Sequence, residues 1–195
     1  MKRKIVVAPG WMDRAWYHCG WEGLDIWTKN IKPENRIDAE YVAGHSIGAL
    51  FALQNWKCNK NTKIILINPL LPKRSLIRWT LRFMKFLFNE PLLDRFQRSR
   101  IFLHIVPFGL IKLYKLIQID PLEIIDKIPQ KNLIVVYGEN DNYFCDEECR
   151  NILEKRGVQM IEVKGVGHNW HRRFNEILTD IAVQNDITQP ACYND

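Results

Sequence analysis

Gly44-His45-Ser46-Ile47-Gly48 is the stretch on which the reading of this chain turns. It matches G-x-S-x-G, a pattern in which a serine stands on a sharp turn between a strand and a helix. Such a turn holds the serine at positive φ, and side chains two positions before and after it would collide with neighbouring backbone, so glycine suits both places. Only three serines and ten glycines occur among the 195 residues. Glycine falling by chance on both sides of one of those serines has a probability of about one in a hundred. The flanks agree with the pattern: Tyr41 to Ala43 reads as a short strand running into Gly44, and Ile47 to Trp56 reads as a helix.

Working outward, Lys4 to Ala8, Lys63 to Ile67 and Leu133 to Tyr137 read as further strands, and Met160 to Val163 as a fifth. All but the last are apolar runs without clean alternation, as expected of parallel strands covered on both faces. Asp146 to Lys155 and Trp170 to Val183 read as helices after the fourth and fifth strands. Strand and helix alternate, which predicts an α/β fold with a mainly parallel sheet and helices on both faces. At this length, with 47% apolar residues, residues 1–195 are expected to form a single domain. Residues 72 to 120 exceed the length of one crossover helix and read as an inserted helical cap.

Two loops at predicted strand ends carry the chemistry that a serine at such a turn requires. Gly138-Glu139-Asn140-Asp141 follows the fourth strand and brings a carboxylate, and Gly165-Val166-Gly167-His168 follows the fifth and brings an imidazole. Sites in open α/β sheets assemble at this edge. Glu139 and Asp146 lie near Asp141 without falling on the same position, and the loop after the third strand, Asn68-Pro69, holds no carboxylate. His171 reads as a surface residue, and His45 as a side chain turned away from substrate.

The three segments Gly44 to Gly48, Gly138 to Asp141 and Gly165 to His168 resemble the catalytic signatures of the α/β-hydrolase superfamily, in the chain order Ser, Asp, His that this fold uses. The resemblance covers most of the chain outside the cap. It implies a serine hydrolase acting on ester bonds, in which Ser46 is the nucleophile, His168 the base and Asp141 the acid that orients the base. It also implies an oxyanion hole, contacting substrate, made by the backbone N–H groups of Ile47 and Trp11. Pro9 stands where the family commonly has a histidine before Gly10, so Trp11 is assigned by position. The interval from Trp11 to Gly44 is short for the elements that normally fill it, which predicts a reduced sheet of about five strands.

Composition restricts the remaining classes. Five cysteines, with no CxxC pair and no Cys/His ligand spacing, fit free thiols in a reducing cytoplasm. No metal or cofactor is expected. The apolar part of the basic start is too short for export, and the longest uncharged apolar run, residues 101 to 111, falls short of a bilayer span. A net charge of +6 admits an acidic partner or anionic lipid, while no nucleic-acid motif is present.

The charge is concentrated in the cap. From Pro72 to Lys115 there are ten Lys or Arg residues against Glu90 and Asp94, and Arg78, Arg82 and Lys85 are spaced to form one cationic stripe on a predicted helix from Leu76 to Phe88. Trp79, Phe83, Phe86 and Phe108 are candidates to line an apolar acyl pocket. A basic cap over such a pocket is similar to the methyl ester esterases of biotin synthesis, which act on pimeloyl chains held by acyl-carrier protein. That resemblance implies a carrier-linked acyl ester as substrate and an acidic acyl-carrier protein docking on Arg78, Arg82 and Lys85. A thioesterase, an amidase, a small-ester or lipid esterase, weak contact with a membrane surface, and a non-catalytic binding module on the same fold are the other readings.

Overall fold

The computed structural model describes residues 4–11, 21–27, 37–89 and 102–185. Their core is a six-stranded sheet in the order β2-β1-β3-β4-β5-β6, with every neighbouring pair parallel. β1 (Ile5–Ala8), β3 (Tyr41–His45) and β4 (Lys63–Ile67) are the apolar runs of the sequence, and they are buried almost throughout. β5 (Leu133–Gly138) follows them, and β6 (Gln159–Val163) closes one edge, where its more exposed side chains are tolerated.

The reduced parallel sheet agrees with the sequence expectation of about five strands, with one short strand added. β2 (Glu22–Gly23) is two residues long and pairs with Val6 and Val7 on the outer side of β1. It occupies the interval between the Trp11 loop and the Ser46 turn. Two residues held by backbone pairing carry no side-chain period, so the sequence pattern did not reveal them.

Alternation along the strands divides their side chains between two layers. Val6, Val42, Ile64, Leu66 and Val135 pack with Phe51 and Leu53 of α1 (Gly48–Cys58) and with Leu153 of α5 (Glu147–Glu154). Ile5, Val7, Ala43, Ile65 and Ile67 pack on the other face with Phe174, Leu178 and Ile181 of α6 (Arg172–Gln184). Residues 72 to 120 contain α2 (Leu76–Asn89) and α3 (Phe102–Ile117), and α4 (Pro121–Ile125) follows, capped by the side chain of Asp120. Among the described residues, no helix is long and apolar enough to cross a membrane.

Register sets up the site. Ala8 lies beside Gly44, Gly44 beside Leu66, and Ile67 beside Val136, so the central strands end level with one another. The loops that follow them, bearing Trp11, Ser46, Asn68 and Asp141, therefore open at one edge of the sheet.

Candidate active site

Ser46 stands on the turn from β3 into α1 with φ 55°, the left-handed region that L-residues rarely adopt. Its N–H donates to the carbonyl of Ile67 at 2.8 Å, which fixes the turn to the neighbouring strand. Close backbone packing dictates both glycines. A Cβ on Gly44 would lie 2.3 Å from the Gly48 carbonyl oxygen, and one on Gly48 would lie 2.4 Å from that of Ala8.

The structure brings Ser46, His168 and Asp141 together. His168 Nε2 is 2.8 Å from Ser46 Oγ, and His168 Nδ1 is 2.8 Å from Asp141 Oδ2. The carboxylate can only accept at neutral pH, so Nδ1 carries the proton and Nε2 is left to accept from the serine hydroxyl. All three side chains are buried, Asp141 completely. Burial is the largest single influence on the Asp141 carboxyl and pushes it up. Attraction to His168, the hydrogen bond to its ring, and backbone N–H bonds from Phe144 and Tyr143 together outweigh burial and hold the carboxyl below its ordinary value. The Cys145 N–H also donates to Asp141, at 3.2 Å to Oδ2.

Asn68, read from sequence only as a place without a carboxylate, aligns the His168 loop with the end of β5. Its side-chain amide donates to the carbonyls of Gly167 and His168, each at 2.9 Å, while its Oδ1 accepts from the Gly138 N–H at 2.7 Å. One buried side chain at the end of β4 thus ties the end of β5 to the His168 loop. His45 adds a second donor, Nε2–H to the His168 carbonyl at 2.9 Å, and so supports the backbone of His168. No residue spacing marks Asn68 in the sequence, and its φ of 44° is a property of the folded backbone.

The loop after β1 and the Ser46 turn each present one backbone donor, at Trp11 and at Ile47. Among the described residues, neither the Ile47 N–H nor the Trp11 N–H has a hydrogen-bond acceptor. Ile47 precedes the first turn of α1, where backbone donors have no intrahelical partner. Trp11 is oriented through the preceding carbonyl: the Trp27 indole N–H donates to Gly10 O at 2.5 Å. In a planar trans peptide the Trp11 N–H points opposite to that carbonyl, away from Trp27.

Three of the four predicted pocket aromatics meet this centre. Phe86 packs edge-on to the His168 ring at 5.3 Å between centroids, Phe83 contacts Trp11 at 5.0 Å, and Trp79 contacts Phe144, itself 4.4 Å from His168. The Phe108 side chain lies outside the described residues. The inner face of α2 thereby shields the imidazole from water on one side.

The predicted cationic stripe is divided in the structure. Arg78 and Lys85 are exposed, whereas Arg82 turns inward and bonds the Tyr143 carbonyl and the Asp146 carboxylate. Arg74 joins it there, with its side chain 1% exposed and 2.7 Å from Asp146 Oδ1 and 3.0 Å from Glu148 Oε2. The helix spacing was read correctly, but the partner of Arg82 comes from the other side of β5 in sequence. His171 caps α6, accepting from the Arg173 N–H.

Cys145 and Cys149 lie with their sulfurs 3.6 Å apart and buried. The hydrogen bond to Cys149, then burial and nearby negative charge, push the Cys145 thiol well above its ordinary value, so it stays protonated and a poor metal ligand. No group of three or more metal-ligating side chains occurs among the described residues.

No family model matches the chain, and no curated protein matches it. Solved structures do match. A thermophilic esterase superposes with a TM-score of 0.66 at 16% identity, over 94% of this chain and 90% of that one. An α/β-hydrolase enzyme from the sediment metagenome of the Mar Chica lagoon, Morocco, gives 0.54 at 13% identity, over 96% and 93%. The thioesterase domain of the curacin biosynthetic pathway gives 0.51 at 15% identity, over 93% and 91%. At these identities the likeness is one of architecture: the chain has a reduced α/β-hydrolase fold with a parallel six-stranded sheet.

Proposed function

We propose that this protein is a serine hydrolase that cleaves carboxylic esters through an acyl-enzyme intermediate. The observation that carries the reading is the hydrogen-bonded relay of Ser46 Oγ, His168 and Asp141, 2.8 Å at each link. Ser46 Oγ attacks the ester carbonyl as its proton passes to His168 Nε2, and Asp141 stabilises the imidazolium that forms. The tetrahedral oxyanion is received by the N–H groups of Ile47 and Trp11. His168 then gives its proton to the departing alkoxide. Water, activated by the same imidazole, releases the acid and restores the serine.

The aromatic roof supplied by Trp79, Phe83 and Phe86 favours an apolar acyl group. A carrier-linked methyl ester of the biotin-pathway type satisfies that preference, with the exposed Arg78 and Lys85 available to an acidic carrier. Arg82, committed to Asp146, is left out of that docking set. A thioester is the second reading: the relay is indifferent to the leaving group, and the curacin thioesterase domain shares the architecture.

The test is labelling by an active-site fluorophosphonate, expected at Ser46 and abolished in Ser46→Ala. A folded protein that takes up no label and hydrolyses no ester would sink the proposal. Matched oxygen esters and thioesters of graded acyl length, offered free and carrier-linked, then assign the leaving group.

A further inference from the structure

Nine large apolar side chains stand exposed among the described residues, and eight of them lie on the two inserted helices, five on α2 and three on α3. On α2 they are ordered. At about 100° per residue, Ile77, Leu81, Met84 and Phe88 fall within a single stripe, while Trp79, Arg82, Phe83 and Phe86 fall on another about 180° around the helix. The second stripe is the one engaged with the site. The first faces solvent, with Ile77 75% and Phe88 82% exposed.

We infer that the outer stripe of α2 is a docking surface for an anionic lipid bilayer. Charge complementarity supplies the argument. Arg78 and Lys85 lie to one side of the stripe, both exposed and neither with an ion-pair partner among the described residues, and α2 contains no acidic residue. α3 likewise contains none. Large apolar side chains flanked by long cationic ones are what lets a helix lie in a membrane interface, apolar residues immersed and ammonium or guanidinium groups at the anionic headgroups. The stripe itself bears no hydrogen-bonding side chain that would register a particular protein surface. A second copy docked through the same face would set like charges against each other. Because the inner face of the same helix covers His168, a bilayer on the outer face lies against the roof of the site, and a water-insoluble ester could pass to it from the lipid. The surface stands apart from the hydrolase proposal; the supply of substrate rests on it.

The experiment is vesicle flotation of the full-length Ser46→Ala protein, with phosphatidylcholine alone and with about one-third phosphatidylglycerol. Flotation is expected only with the anionic vesicles and is lost at high salt. Arg78→Glu with Lys85→Glu, and separately Leu81→Ser with Phe88→Ser, are expected to lower vesicle affinity by about tenfold or more. These side chains are exposed, and unchanged melting temperatures show that the variants fold. Absence of flotation with anionic vesicles overturns the inference, as does flotation that neither double variant weakens. Failure to float, combined with a raised KM of the catalytically intact Arg78→Glu/Lys85→Glu protein for a carrier-linked ester alone, overturns it and assigns the cations to an acidic protein. Since flotation is read without turnover, an inactive protein that floats leaves the surface standing and removes only the hydrolase reading.

Discussion

The indole N–H of Trp27 donates to the carbonyl of Gly10 at 2.5 Å, and through one planar peptide it fixes the direction of the Trp11 N–H. Loss of an oxyanion donor typically costs ~3 kcal/mol of barrier. Trp27→Phe keeps an aromatic ring in the core but frees that peptide to turn, so part of this cost is expected: kcat for a small soluble ester falls about tenfold or more, with KM nearly unchanged. Steady-state kinetics read the split. A rise in KM with kcat preserved would show that Trp27 shapes substrate binding instead.

Asn68 holds the base loop through three hydrogen bonds. Asn68→Ala leaves buried backbone groups of Gly138, Gly167 and His168 with less than their full complement, and a buried group left unpaired costs about 1–3 kcal/mol. Both a lower melting temperature and a lower kcat are expected. Asn68→Asp keeps the acceptor for Gly138 but aims a carboxylate at two carbonyls, so it should be worse than alanine in activity. Wild-type kcat in either variant would remove Asn68 from the account of the site.

Asp141→Asn presents an amide to His168 Nδ1. If that amide donates, the imidazole proton moves to Nε2, the atom that must accept from Ser46. A fall in kcat of about 10³–10⁴ is expected, with fluorophosphonate labelling slowed in parallel. Labelling at the wild-type rate would mean that another group orients the imidazole.

Asp146 makes stability depend on acid. Burial, the largest single influence, pushes its carboxyl up, but bonds from Arg74, the Cys149 N–H and Arg82 outweigh burial and hold it below the ordinary value. A carboxyl with a lower pKa in the folded chain contributes stability that is full above the unfolded value of about 3.9 and is lost as pH falls through the folded value. Asp146→Asn should therefore unfold at lower urea near neutral pH, a loss of about 1–3 kcal/mol, because it weakens the charge-assisted bonds to Arg74 and Arg82 and leaves Arg74 with Glu148 as its carboxylate. Its stability should also decline less steeply than wild type below about pH 4. Parallel acid limbs would show that other carboxyls govern that range.

The parts of the fold legible in sequence are those where one side-chain property repeats. β1, β3 and β4 announce themselves because strands covered on both faces must be apolar at nearly every position, and Gly44 and Gly48 because backbone contacts of 2.3 and 2.4 Å admit no side chain. Ser46 and Asp141 each follow a mostly apolar strand, whereas His168 follows the exposed edge strand β6 and was marked by the glycines of its loop, Gly165 and Gly167. β2 was not legible, since Glu22 and Gly23 owe their conformation to the backbone of Val6 and Val7. Nor was the fate of Arg82, because helical spacing gives the direction of a side chain but not the Asp146 that meets it 64 residues further along the chain. Asn68 and Trp27 were missed for the same reason: each acts on the backbone of another loop, and residue type alone does not say which carbonyl an amide or indole will meet.

The φ of 55° at Ser46 has a bearing on the history of the chain. An L-residue in this region costs roughly 1–2 kcal/mol relative to its relaxed state, and glycine is largely exempt. Ser46→Gly should accordingly melt above Ser46→Ala, though neither can be acylated. At this one position folding and chemistry pull in opposite directions, so drift in a lineage with no use for the hydroxyl would settle on glycine. The nucleophilic role proposed for Ser46 would account for a serine standing where the backbone favours glycine.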